Sequence, residues 1–325
     1  TQISGITTHG RKLMSIVFYV LGYLAVVGFF CMAYIKIRAY LASSPLHVRW
    51  ELYPVPHEGV KTVYGGSFME EKDWWTKPRH VAHLGDVKAL LTEVLFLHAT
   101  FEHNIKLWVR TYPFHVGMYM LMGGTIIVLC AAVAQICGLA PQGGLMIFVG
   151  NVINAMVLVG SVCIITGGLA LVQRRRSDPG LRRYSTPEHY FNLLIFVLFG
   201  ALGLAAWATA PSYFELARGF IYNLLTANFV LPQNSLFVLH LLVGFFLLIW
   251  IPMTHMGHVF MKYFTYHDIR WGDEPTTYSA KNQEKISEAL QYKVTWAASH
   301  IAGDGAPKSW VDVATTNPAA PEKKD

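Results

Sequence analysis

Four histidines lie in stretches that otherwise carry no Asp, Glu, Lys or Arg. His115 falls within 112–140, and His240, His255 and His258 fall within Leu236–Met261. An ionisable side chain in so apolar a setting needs a chemical reason, because placing it in hydrocarbon costs several kcal/mol. Neutral imidazole is a usual axial ligand of haem iron. Histidines on two separate apolar segments therefore point to a haem held between transmembrane helices.

The elements that must position these histidines follow from composition. Hydrophobic residues make up 53% of the 325 and charged residues 14%, against about 25% charged in soluble domains. A bilayer crossing needs about 20 apolar residues. Five segments qualify: Leu13–Ile35, Pro113–Cys137, Leu145–Val172, Tyr190–Ala210 and Leu236–Met261. The expected fold is all-α, a polytopic membrane protein with five transmembrane helices. The first segment is too long for a cleaved signal peptide, and no small-residue cleavage site follows it.

Basic residues set the expected orientation. They crowd after span one (Lys36, Arg38, then Arg49 to Arg110), between spans three and four (Arg174, Arg175, Arg176, Arg182, Arg183) and after span five (Lys262, Arg270). The loop 138–144 has no charge, and the loop between spans four and five carries only Glu215 and Arg218. The N-terminus is expected outside and the C-terminus in the cytoplasm, with Arg11 and Lys12 outvoted. The net charge of +6 reflects this bias, and no nucleic acid is expected as a partner.

Cys31, Cys130, Cys137 and Cys163 lie within or at the ends of spans, where they read as small apolar packing residues. They form no C-x-x-C pair and no C-x-x-C-H motif, so an iron–sulfur cluster and covalent haem attachment are both excluded. Any haem is b-type.

Four segments follow: 1–40, the first span with its lead; 41–111, a cytoplasmic loop and interfacial helix; 112–262, a four-helix haem-binding core; and 263–325, a cytoplasmic tail. Turn residues and the aromatics Tyr64, Phe68, Trp74 and Trp75 predict a compact irregular loop. An apolar stripe from Val87 to Ile105 predicts one helix over 86–110 along the membrane surface. Tyr213, Leu216, Phe220, Leu224 and Leu225 predict a short helix in the outer interface. The tail has too few apolar residues to fold alone.

His240 and His258 are eighteen residues apart, about five turns and about 27 Å along a helix, so both should leave span five on one face. Pro252 lies between them and softens that phase. His115 opens span two just after Pro113, which suits a first helical turn. Span two runs opposite to span five, so His115 and His258 come to one depth, as bis-histidine ligation requires. His255, one turn earlier, is the alternative ligand. Gly117 and Gly123-Gly124 leave room for a macrocycle or a close helix. His47, His57, His80, His83, His98 and His103 read as surface residues.

Phe114-His115-Val116-Gly117 resembles the opening of the ligand helix in respiratory nitrate reductase gamma subunits. Pro252-Met253-Thr254-His255-Met256-Gly257-His258 is similar to the end of that family's last helix, and the spacing of His240 and His258 matches it too. Trp50-Glu51-Leu52-Tyr53-Pro54 and Arg270-Trp271-Gly272-Asp273-Glu274-Pro275 look more like cytochromes b of the sulfite-reduction-associated and transmembrane electron-transfer complexes of sulfate reducers.

The resemblance implies a haem b subunit of a respiratory redox complex in a prokaryotic inner cell membrane. It would exchange electrons between a quinone, menaquinone or another, and a cytoplasmic iron–sulfur partner of heterodisulfide-reductase or molybdenum-enzyme type. An extracytoplasmic cytochrome c is a further partner the resemblance admits. His115 and His258 would ligate the inner haem iron. His240 would ligate an outer haem together with a histidine ten residues beyond His115, but that position is Thr125. Three readings of His240 stay open: a second-haem ligand, a quinone contact or a packing residue. For the quinone site, Glu215 and Arg218 join His240 on depth alone. Arg110 and Arg174 to Arg176 could face haem propionates or lipid headgroups. The competing readings are the cytochrome b of a hydrogenase or formate dehydrogenase, and a non-redox transporter or anchor. For a transporter, inverted repeats would be the mark, and five spans do not divide into two equal halves.

Overall fold

A backbone in hydrocarbon must satisfy its own N–H and C=O groups, so each apolar stretch closes into a helix. The computed structural model describes residues 2–42, 56–64, 66–78, 80–264, 280–296, 298, 301 and 306–317. Among these the order is α1 (Gln2–Leu41), three short 3-10 turns within 56–76, α2 (His83–Phe96), α3 (His98–His103), α4 (Ile105–Ile136), α5 (Gly144–Ser177), α6 (Pro179–Tyr184), α7 (Pro187–Thr209), α8 (Tyr213–Leu225) and α9 (Ser235–Met253). A 3-10 turn at His255–Gly257 leads to α10 (His258–Phe264), followed by α11 (Ala280–Leu290) and α12 (Trp310–Thr315). Five helices, α1, α4, α5, α7 and α9, are long and apolar enough to cross a membrane. The described residues hold no strand, only the isolated bridges Lys293–Ser309 and Ala298–Ile301. The Trp50–Pro54 and Arg270–Pro275 motifs and His47 lie outside the described residues, as does the His57 side chain.

The chain divides into two compact units: Thr1–Tyr34 with Ala89–Val259, and Ile35–Lys88 with Phe260–Asp325. In the first, α4 packs on α5, α5 on α7, and α7 on α9, while α8 lies against α4 and α5. Small residues let these helices approach, as they must where lipid removes the hydrophobic drive to associate. A Cβ on Gly117 would stand 2.6 Å from the Gly160 carbonyl oxygen, and one on Gly167 would stand 2.6 Å from the Phe114 nitrogen. The α4–α5 contact is therefore backbone against backbone. Outward faces carry Phe30, Ile126, Leu145 and Phe148, each more than half exposed, as suits a lipid-facing surface.

Two apolar clusters fill this unit. One gathers Phe18, Tyr19, Ile153, Phe214, Phe220 and Phe237 from α1, α5, α8 and α9. The other joins Phe114, Ile164, Phe196 and Leu247. The Asn154 Oδ1 accepts from the Phe214 backbone at 3.1 Å, so α5 caps the start of α8. Arg218 pairs with Glu215, donates to the Pro141 carbonyl at 3.4 Å and lies over the Phe214 ring. This buried guanidinium fastens the loop between α4 and α5 to α8.

Three expectations are revised. The single helix over 86–110 is instead α2, α3 and the first turn of α4. It breaks at Leu97, which adopts φ 51°, and restarts at Asn104, whose side chain caps α4 by accepting from Leu107. Span five stops at Met253 rather than Met261. Pro252 cannot donate and its ring crowds the preceding turn, and Thr254 caps the following 3-10 turn by accepting from Met256. The one-face phase of His240 and His258 therefore does not run through a continuous helix. Cys31, Cys130 and Cys137 are exposed, not packed; they fall off the buried stripes, where a thiol facing lipid costs little.

In the second unit the irregular loop is held by Lys61 and Lys77 on Glu71, at 2.8 and 3.4 Å, and by Trp74 edge-on to Phe68 and Trp75. The hydrogen bond from Lys61, then that from Lys77, holds the Glu71 carboxyl below its usual value. The tail has local structure of its own: Ser309 caps α12 in a reciprocal box with Asp312, and Val294 and Ile301 are buried.

Candidate functional site

α4 begins at Ile105, so Pro113 lies inside the helix and not in its first turn, and His115 projects from the helix interior two residues further on. His258 begins α10 after the break in α9. Their ring centres are 6.2 Å apart, with planes at 57°. With a metal–nitrogen bond of about 2.0 Å and about 1.2 Å from ring centre to nitrogen on each side, two axial imidazoles place their centres about 6.4 Å apart. The observed separation fits two rings sharing one iron.

The tautomers fit as well. His115 Nδ1 donates to the Thr111 carbonyl at 2.8 Å, with the Thr111 hydroxyl at 3.2 Å. His258 Nδ1 donates to the His255 carbonyl at 3.1 Å. Each bond fixes the ring and leaves the lone pair on Nε2, the arrangement that metal-ligating histidines use. The Phe114 ring stands 5.9 Å from that of His115 and packs into the cluster with Ile164, Phe196 and Leu247, and Tyr119 stands 6.2 Å from the His115 ring.

His255 turns elsewhere. Its ring lies 5.5 Å from His189, and its Nδ1 is 3.8 Å from Glu188. Burial, and then the neighbouring His189, hold its imidazole below the usual value, with Glu188 opposing.

His240 is buried in a notch between α7 and α5. Its Nδ1 donates to the Phe199 carbonyl at 3.0 Å, and its ring stacks on Phe199 at 4.1 Å. Only glycine fits opposite, since a Cβ at Gly203 would come within 2.9 Å of His240 Cε1. Its tautomer suits a ligand, but the α4 position that the resemblance pairs with it does not: the Thr125 hydroxyl is exposed and donates to the Leu121 carbonyl of its own helix. Among the described residues the rings around His240 are those of Phe199, Tyr213 and Phe237, and no second histidine faces it. Arg218 and Glu215 are spent on each other. Arg110 donates back to the Lys106 carbonyl, and Arg175 ties α5 to Ser185. His80, His83, His98 and His103 are exposed, and the described residues hold no metal-binding cluster of His, Cys, Asp and Glu.

Three residues that support the histidine-bearing segments escaped the sequence reading. Asn192, buried in α7, accepts from Trp250 Nε1 at 2.7 Å and donates to Glu188 at 3.5 Å. The available signal was an amide inside a charge-free stretch, a group that hydrocarbon obliges to find partners. Ser161 and Gly203 beside His240 gave no signal of their own.

Fold and site together define a helical membrane protein with five candidate spans and a histidine pair formed by α4 and the start of α10. The chain matches the nitrate reductase gamma subunit family over residues 99–271, more than half its length, and it belongs to that family. Its members are membrane cytochrome b subunits of redox complexes, which bind haem b and interact with quinone alongside molybdenum-enzyme and iron–sulfur subunits. No curated protein and no solved structure matches the chain significantly.

Proposed function

We propose that this chain holds one haem b between His115 and His258 and carries electrons between a membrane quinone and an iron–sulfur partner. The observation that supports it is the pair itself, 6.2 Å between ring centres with both Nδ1 atoms on backbone carbonyls. When bound, haem b supplies a reversible one-electron carrier whose potential its surroundings tune. The chain's share is to fix both rings through their Nδ1 bonds and to pack Phe114, next to His115, into the apolar cluster with Phe196 and Leu247. The basic segments mark the cytoplasmic side, with the N-terminus outside, so the pair lies toward the cytoplasmic partner, of heterodisulfide-reductase or molybdenum-enzyme type. The sulfate-reducer cytochromes b offer a functional analogy through the loop and tail motifs, and menaquinone is the expected quinone class. His240 is available as a polar contact for the quinone in the outer half.

The test is haem b per chain and the reduced-minus-oxidised spectrum of the purified protein, beside His115→Ala and His258→Ala. About one haem per chain, lost in both variants, is the expected result. Full haem content in either variant would overturn the assignment.

A further inference from the structure

The segment that presents His258 is weakly held by its own backbone. Between the end of α9 and the start of α10 the turn bonds are long: Thr254 N to the Ile251 carbonyl, Gly257 N to the Thr254 carbonyl, and Met256 N to Thr254 Oγ1, each 3.3 Å. Yet the His258 ring is steered by a carbonyl within this turn, that of His255. Something outside the turn must fix it if the ligand geometry is to be single-valued.

The neighbouring α7 touches both sides of the break. Before it, Asn192 accepts from Trp250, two residues ahead of Pro252, and Asn192 is only 2% exposed. After it, Glu188, one turn earlier on α7 and bonded to the same Asn192 amide, lies 3.8 Å from His255. Phe246 and Phe191 pack on the Trp250 ring, each at 5.5 Å, and aim its N–H. We propose that Asn192, through Trp250 and Glu188, clasps the broken end of α9 to α7 and is a positioning residue for His258. This inference rests on the ligation reading above.

Trp250→Phe tests it gently, because the ring packing stays and only the indole N–H is lost; Asn192→Leu removes the acceptor. In the haem-loaded full chain, each variant should release haem about 10-fold faster, the usual scale for losing a group that orients a metal ligand. Each should also shift the low-spin ferric EPR signal, whose anisotropy reports the angle between the imidazole planes, 57° here. The double variant should be no worse than Asn192→Leu alone, since the Trp250–Asn192 bond is already lost in that single. Wild-type release and EPR in both singles would overturn the clasp, as would faster release with an unmoved EPR signal, which is the mark of general loosening. His258→Ala in parallel separates the two readings. If it loses haem while Trp250→Phe behaves as wild type, only the clasp falls; if it keeps haem, the ligation reading falls.

Discussion

Adding one methyl group at Gly117 should cost this protein its haem before it costs the fold. An alanine Cβ there would sit 2.6 Å from the Gly160 carbonyl oxygen, 2.7 Å from Ile164 Cγ1 and 2.8 Å from the Ile164 nitrogen. Non-bonded carbons rest about 3.5–4.0 Å apart, so α4 and α5 must separate locally by about 0.8 Å. Two of the three obstructing atoms are backbone, and no rotamer change relieves them. Overpacking of this kind costs about 1–3 kcal/mol. His115 is two residues away on the same helix, and ligand distances tolerate only about 0.2 Å. If the strain falls on the haem-bound state, affinity drops by about 5- to 150-fold. Gly123→Ala is the control, because its Cβ would meet only the Met156 Cε at an ordinary 3.8 Å. The assay is titration of haem-depleted protein with haemin, followed at the Soret band. Equal affinities for the two variants would refute the reasoning.

Two further outcomes follow from contacts away from the pair. Asn154→Ala removes the α5 side chain that caps α8, where Phe214 N donates to it at 3.1 Å; it should destabilise the protein by about 1 kcal/mol in thermal unfolding and leave haem content unchanged, and haem loss at wild-type stability would contradict that. Glu71 has a lowered pKa through Lys61 and Lys77, so its contribution to the loop is present above the ordinary carboxylate range and disappears as pH falls through the lowered value. A carboxyl carbon titration should place its midpoint below that of a free glutamate, and a midpoint at or above it would refute the pairing.

The sequence by itself determined the five spanning helices, because charge-free runs of that length have one stable form in a bilayer. It also determined which histidines could meet. Opposite chain directions predict one depth for His115 and His258, whose rings stand 6.2 Å apart, and Pro252 announced the break that followed. The tertiary structure decided what a one-dimensional pattern cannot hold. The path of α9 ends at Met253, so the shared face of His240 and His258 was a property of an ideal helix and not of this one. Whether a span histidine meets another histidine or a glycine notch depends on which helix lies beside it. His240 sits against Gly203 and Phe199, residues 37 and 41 positions away in the chain. Trp250 meets Asn192 for the same reason. That bond forms between turns of two helices whose rotation about their own axes is set by side-chain packing, a quantity that hydrophobic length leaves free.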